Sequence, residues 1–338
     1  MHRSAFLGCG GRARGHARAY ANITRSQTVA ICDLNEERLK SFGDEFGIGN
    51  RYTDIHQMLD KEKPDVLHIV TQPDLRVPLM TIAADHEVPA AIVEKPIALD
   101  SADFRAISEL GKKSKTKFIV NHQLRFHPRF LDLRSDVLEG RIGDVRFIEV
   151  SARLNMLGQG THITDLMFAV NDYAEPESVF GQAFGTDGFK STHPTADMAE
   201  AYITFENGIH GLLVIGKNAS RMDDHRPESQ HKRVAVYGTH GFIHWQMNAW
   251  ERKLKDGDYE YGEKDYREED VLGQQGLTEA TFDWLEDESK LHPNRLDVSL
   301  TEFGVILGIF ESVVKRAPVY FPSEPPDGLL GSLRKALS

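Results

Sequence analysis

The chain has little cysteine: two in 338 residues, Cys9 and Cys32, standing in no paired-ligand spacing. Two such thiols build neither a disulfide framework nor a structural zinc site. Long apolar runs are missing too, and nothing approaches the ~18 residues that a spanning helix needs. The first residues, Met1-His2-Arg3-Ser4, run straight into a strand pattern, with no extended apolar segment and small-residue cleavage site ahead of it. The expectation is therefore a cytoplasmic protein with no membrane partner. Basic residues are in deficit, 40 Lys and Arg against 51 Asp and Glu, for a net charge of −11. An acidic surface repels phosphate backbones, which argues against a nucleic-acid partner. The one basic run, at 112–117, reads as the charged end of a helix and a turn, where cations favour the helix dipole.

What is present points to about two domains, on a prior of roughly 150 residues each. Short apolar segments at 5–8, 29–33, 66–71, 91–94 and 118–121 alternate with helical patterns at 15–21, 36–46, 54–60, 75–85 and 101–112. Such alternation predicts an α/β Rossmann domain, a doubly wound parallel sheet with both faces covered. After residue 121 the rhythm changes. A helix is expected at 128–139 and longer alternating strands at 145–153, 199–205, 209–215, 233–237 and 242–246, with the hairpin signal Asn207-Gly208 between two of them. A long helical pattern covers 295–315, and the acidic stretch 260–270 reads as a solvated loop. This part is expected to be an α+β domain with a large, mainly antiparallel open sheet. The boundary is set at 121, giving a dinucleotide-binding domain at 1–121 and a substrate-binding and oligomerisation domain at 122–338.

The first strand feeds Gly8-Cys9-Gly10-Gly11-Arg12-Ala13 and then a helix. This is the G-x-G-x-x-A form of the dinucleotide fingerprint. Gly8 permits the tight turn, Gly10 the approach of a pyrophosphate, and Ala13 close helix–strand packing, and the N-terminus of the following helix offers free N–H groups to the phosphates. Alone, such a loop often makes only a turn. The second strand, however, ends in Ile31-Cys32-Asp33, where an acid accepts hydrogen bonds from the adenosine ribose and repels a 2′-phosphate. That favours NAD over NADP, although Arg12 can blur the preference and Asp33 can equally cap the next helix.

The strand at 91–94 runs into Glu94-Lys95-Pro96, which places Lys95 at the carboxyl end of a parallel strand, where such sheets bind ligands. Near a positively charged nicotinamide its pKa should fall, suiting it to proton exchange with a hydroxyl; the alternative is a surface lysine. Gln123 and Arg125 follow the next strand; the arginine suits a carboxylate, sugar hydroxyls or an interdomain salt bridge. His162 follows a Gly-rich turn at the start of a predicted helix, and imidazole titrates near neutrality, but a lone histidine also fits a plain core or surface role. His240 and His244 sit in a strand-turn-strand segment, and no metal site is expected.

Glu94-Lys95-Pro96, the glycine loop and Thr71-Gln72-Pro73 together resemble the glucose–fructose oxidoreductase / inositol dehydrogenase (Gfo/Idh/MocA) family. The resemblance continues through 121–128, through 158–165 (Gly-Gln-Gly-Thr-His-Ile-Thr-Asp) and into Phe205-Glu206-Asn207-Gly208. It implies NAD bound by the glycine loop, Thr71, Gln72, Pro73, Glu94, Lys95 and Gln123. Lys95 and His162 are the implied catalytic residues, with Arg125, Asn155, Gln159 and Asp165 near a carbohydrate-like substrate. Many relatives carry an aspartate four residues before the histidine, where this chain has Gly158, so Gln159, Asn155 or a water is left to replace it. Asp74-Leu75-Arg76 also departs from the family pattern, and Arg76 is expected to meet substrate or cofactor. The implied activity is hydride transfer between NAD(H) and a secondary alcohol of a sugar, cyclitol or sugar-derived acid. Two alternatives stand beside it: a glycosidase or lyase that retains NAD and oxidises a sugar transiently, and a non-catalytic NAD-binding protein. The uncovered sheet face and the family's habits imply a homodimer or homotetramer.

Overall fold

The computed structural model describes residues 1–221 and 226–338 of the chain. The backbone forms two compact units. Unit 1 holds Met1–Ala98, Asp103–Phe126 and Asp270–Leu300; unit 2 holds Leu99–Ala102, His127–Glu269 and Thr301–Ser338. The boundary expected at residue 121 thus moves to 126, and unit 1 takes back a segment that the sequence pattern assigns to the second domain.

In chain order the first part contains β1 (His2–Leu7), α1 (Gly11–Ala19), β2 (Ser26–Cys32), α2 (Glu36–Phe46), β3 (Arg51–Tyr52), α3 (Ile55–Glu62), β4 (Val66–Ile69), α4 (Arg76–Asp85), β5 (Ala90–Val93), α5 (Ser101–Lys113) and β6 (Lys117–Val120). All six strands are parallel, in the order β3-β2-β1-β4-β5-β6. This is the doubly wound order whose direction reverses between β1 and β4, where ligands of such sheets sit beyond the carboxyl ends of the strands. The strands are buried on both faces, so they read as near-continuous apolar runs rather than alternating ones.

Next come α6 (Pro128–Leu138), β7 (Val145–Ala152), α7 (Thr161–Val170), β8 (Pro176–Phe184), β9 (Met198–Phe205), β10 (His210–Ile215), β11 (Lys232–Gly238), β12 (Phe242–Gln246), β13 (Ala249–Lys253) and β14 (Tyr259–Glu263). Then follow α8 (Tyr266–Glu286), α9 (Leu296–Lys315), β15 (Val319–Tyr320) and α10 (Leu329–Leu337). The second sheet has nine strands in the order β14-β13-β12-β11-β7-β10-β9-β8-β15. Its pairs are antiparallel except β7 with β10. The acidic stretch expected to be a loop instead ends β14 and begins α8. From Asp270 onward α8 belongs to unit 1, where Leu277 and Phe282 join a core cluster with Ile23, Val66, Ala90, Ile92 and Ile119. No helix among the described residues is long and apolar enough to cross a membrane.

Candidate active site

β1 delivers Gly8 with φ +93°, a conformation open mainly to glycine. A Cβ there would also strike the Val70 carbonyl, because β4 runs alongside β1. Gly10 is the N-cap of α1 and Gly11 its first residue; a Cβ on either would meet nothing within 4 Å. Among the described residues no side chain caps α1. Its first N–H groups and the positive end of its dipole therefore face open space, a cradle of the kind that takes a phosphate. Ala13 is fully buried, in one core cluster with Phe6, Cys9 and Ile31.

Asp33 stands just past β2. Its Oδ2 accepts from Cys9 N (2.7 Å) and its Oδ1 from Asn35 N (2.8 Å). The carboxylate thus fastens the glycine turn to the second strand while keeping lone pairs for other donors. The cap of α2 is Asn35, whose side chain accepts from Arg38 N. Next to Asp33, Leu34 is 88% exposed.

Beyond β4, Thr71, Gln72 and Pro73 form a turn that Arg76 pins from within. Arg76 Nη1 and Nη2 donate to Thr71 Oγ1 and O (both 3.3 Å), and its Nε donates to Pro96 O (3.3 Å). Arg76 is buried, which pushes its pKa down to about 10. The expectation that it meets substrate or cofactor gives way to an internal strut joining the Thr71 turn to the segment after β5. That segment carries a cis peptide between Lys95 and Pro96.

Glu94 is buried, and burial alone would raise its pKa. Arg12, His16 and Lys95 outweigh burial and hold the carboxyl well below the usual range. Its Oε1 accepts from Asn121 Nδ2 (2.7 Å), faces His16 Nε2 (2.8 Å) and accepts from Arg12 Nε (3.1 Å). Arg12 Nη1 also lies 3.8 Å from Asp270 Oδ2. Lys95 falls to about 8: burial lowers it, Glu94 pulls upward, and Arg12 and Arg76 add to the lowering. The sequence alone attributes this fall to nicotinamide charge, whereas burial in the protein already produces it.

Gln123 is buried on a short turn after β6, and its Nε2 donates to Asp270 Oδ1 (2.8 Å). Its Oε1 is buried without a hydrogen-bond partner among the described residues, as suits a site awaiting an amide or hydroxyl donor. Arg125 is also buried, and its Nη1 donates to Pro293 O (2.8 Å), a structural tie within unit 1.

In unit 2, β7 is followed by a π-helical turn, Met156–Gly160, which leads directly into α7. Such turns often mark functional positions. Asn155 caps it: its Oδ1 accepts from Gly158 N (2.8 Å) and its Nδ2 donates to His193 O (2.9 Å). A Cβ on Gly158 would come within 2.8 Å of Asn155 Oδ1. The space beside residue 158 is therefore occupied by the Asn155 side chain. Gln159 follows with a buried, unpartnered Oε1 among the described residues. His162 and Asp165 are both buried in the first turns of α7, three residues apart and so on one helix face. Elsewhere in this unit His240 Nδ1 lies 2.8 Å from Thr239 Oγ1, and His244 Nδ1 lies 2.6 Å from Glu251 Oε1.

The sequence model of the Gfo/Idh/MocA oxidoreductase family, with its NAD-binding Rossmann fold, matches residues 2–122. Over that stretch, about the first third of the chain, the sequence is similar to this family. The chain is also similar to the D-apiose dehydrogenase of Paraburkholderia graminis, 34% identical over 223 residues, 62% of this chain and 59% of that protein. The inositol 2-dehydrogenase of Rhizobium meliloti is 29% identical over 152 residues, 45% of each. The chain thus matches about half of the length of these relatives. Among solved structures, an Agrobacterium radiobacter oxidoreductase in complex with NAD+, L-tartaric acid and magnesium superposes with a TM-score of 0.80 at 20% identity, covering 94% of this chain and 98% of that one. An inositol dehydrogenase homologue of Azotobacter vinelandii, complexed with NADH and myo-inositol, gives 0.79 at 14%, covering 95% and 97%. At these identities the likeness fixes the fold: a Rossmann unit followed by a unit with a large, mostly antiparallel sheet.

Around this site, sequence reasoning missed Leu34, His16, His68, Tyr20 and Gln274. One signal was available for His16, three residues after Ala13 and so on the buried face of α1. The others come together only through the fold.

Proposed function

We propose that this chain is an NAD-dependent dehydrogenase that moves a hydride between NAD and a secondary alcohol of a sugar, cyclitol or sugar-derived acid. The observation that carries this reading is the placement of three features at the carboxyl ends of strands in one parallel sheet: the open glycine turn after β1, Asp33 after β2, and Lys95, with its pKa brought to about 8, after β5. The named relatives, which act on apiose and inositol, support the substrate class.

The bound nicotinamide would supply the hydride acceptor; the chain supplies position and proton handling. Gly8, Gly10, Gly11 and the α1 N-terminus, with Ala13 keeping the helix close, receive the pyrophosphate. Asp33 takes the ribose hydroxyls on its remaining lone pairs, and Leu34 offers the adenine an apolar surface. The turn Thr71-Gln72-Pro73, Glu94, and Gln123 through its Oε1 line the rest of the cofactor's path. Lys95, substantially neutral near pH 8, exchanges a proton with the substrate hydroxyl. His162 is the acid/base group on α7, oriented with Asp165, while Asn155 and Gln159 hold the turn in front of it and offer amide groups to substrate. The catalytic assignment rests on Lys95 and His162.

As an assembly we propose a homodimer or homotetramer formed through the second sheet, where Phe180, Phe184, Tyr202 and Tyr320 on three strands of one edge are exposed. Light scattering that reports a monomer at micromolar concentration would contradict it. Two buried free thiols, Cys9 and Cys32, fit work in the cytoplasm. The test of function is a screen of sugars, cyclitols and their acids with NAD, following NADH absorbance, and of glycosides, following aglycone release. NADH formed in proportion to alcohol consumed supports the reading. Aglycone release without net NADH overturns it in favour of transient oxidation.

A further inference from the structure

Behind Glu94 lies a file of polar groups, two of them fully buried and the third, Tyr20, half-buried. His16 Nδ1 lies 3.0 Å from His68 Nδ1, and His68 Nε2 lies 2.7 Å from Tyr20 OH. His16 and His68 are both fully buried. His68 stacks on Phe6, ring centroids 4.4 Å apart, so neither imidazole has water to turn to. The hydrogen positions follow from the chemistry of the ends. An ionised carboxylate only accepts, so His16 Nε2 carries the proton toward Glu94 Oε1. Burial keeps both imidazoles neutral, with pKa values below the ordinary histidine range. His16 Nδ1 must then accept, His68 Nδ1 must donate to it, and His68 Nε2 must accept from the Tyr20 hydroxyl. Every donor in the file points toward Glu94. Asn121 closes the other side: its Oδ1 accepts from Gln274 Nε2 (2.9 Å), which orients its Nδ2 toward the same carboxylate oxygen.

We propose that Tyr20, His68 and His16 form a one-way hydrogen-bond chain that keeps Glu94 ionised, and that they thereby set how tightly Lys95 holds its proton. Glu94 is the anion acting on Lys95, and the cations Arg12 and Arg76 act against it. If Glu94 became neutral, Lys95 would lose the anion that raises its proton affinity, while Arg12 and Arg76 would still lower it. His68 is the pivot. While it donates to His16 Nδ1, His16 is locked as the Nε2–H tautomer, and Glu94 has no acceptor to give a proton to. Without that donor His16 can carry its proton on Nδ1, and its freed Nε2 can accept from a protonated Glu94. One proton taken up by the carboxyl balances the change. Tyr20, His68 and His16 are positioning residues in this scheme: they act on Lys95 through Glu94.

The inference rests on the reading of Lys95 as a proton-handling group, and the experiment separates the two. Trace acetylation of Lys95 in the folded full-length protein, followed against pH by peptide mass spectrometry, reports its proton affinity without any turnover. His68→Leu removes the donor. His68→Gln keeps one, since its amide N–H can serve His16 while its carbonyl accepts from Tyr20. The wild type and His68→Gln should share a midpoint near 8, and His68→Leu should fall about one pH unit lower, the modest end of the effect of losing a neighbouring opposite charge. The alkaline rise of alcohol oxidation should move down with it. Equal midpoints in His68→Leu and wild type overturn the proposal. A midpoint that moves while the rate profile stays in place upholds the chain and removes Lys95 from proton transfer. If His68→Leu does not fold, His16→Leu against His16→Gln makes the same comparison one link nearer: a lower midpoint in His16→Leu upholds the proposal and equal midpoints overturn it.

Discussion

Asp33 does two jobs that the sequence could not separate. Its position after β2 was legible, because an acid at the end of the second strand of a dinucleotide-binding unit has one familiar use. That both oxygens already receive backbone N–H groups, from Cys9 and Asn35, was not. Two consequences follow for Asp33→Ser. Loss of the negative charge should narrow the preference for NADH over NADPH by about tenfold, roughly 1.4 kcal/mol. Loss of the tie to Cys9 should also weaken NADH binding itself, because the glycine turn is no longer held to β2. Calorimetric titration with both dinucleotides checks each part, and a wild type that prefers NADPH contradicts the assignment. Lys95 and Arg76 teach the opposite lesson about legibility. The Glu-Lys-Pro signature marked Lys95, but no local pattern distinguishes an arginine bound for a ligand from one that braces a turn. Burial decides, and burial is set by residues far away in sequence.

At the scale of elements, the parallel strands were easy to read because burial on both faces makes them uniform apolar runs. The second sheet was harder. β8 was missed because Phe180 and Phe184 stand on its exposed side and blur the alternation of polar and apolar residues. β13 and β14 are rich in charged and tyrosine side chains and nowhere fully buried, so nothing in their sequence marks an inside face. α8 hid for another reason: it buries Gly273, Gln274, Thr278 and Thr281 as well as Leu277 and Phe282, so its inner face looks polar. The π-helical turn before α7 carries the clearest elemental prediction. Since a Cβ on Gly158 would press on Asn155 Oδ1, Gly158→Ala should displace the capping side chain and cost about 1 kcal/mol, the usual worth of a cap. In an Asn155→Ala background that collision is gone, and the same substitution should cost at least about 0.5 kcal/mol less. Urea unfolding of the four proteins measures the cycle; strict additivity would show that the asparagine does not occupy the space beside residue 158.

For the whole molecule, the sequence conveyed the order of the units but not the path of the chain between them. A segment after residue 269 returns to complete the Rossmann unit, and its Gln274 and Asp270 reach residues of the site, Asn121 and Gln123. No period or motif in that segment announces the return, since its partners lie some 150 positions earlier. The proposed chemistry stands on Lys95 being the group that shares a proton with the substrate alcohol while the glycine turn and Asp33 hold the dinucleotide. Lys95→Met separates these two claims, because it keeps much of the side-chain length and removes the nitrogen. The decisive measurement is turnover of Lys95→Met, with the alcohol that the screen identifies, beside NADH affinity by calorimetry. The expected result is NADH binding within a few-fold of wild type and turnover lower by roughly 10²–10⁴, as for lost acid–base catalysis; near-normal turnover would contradict it.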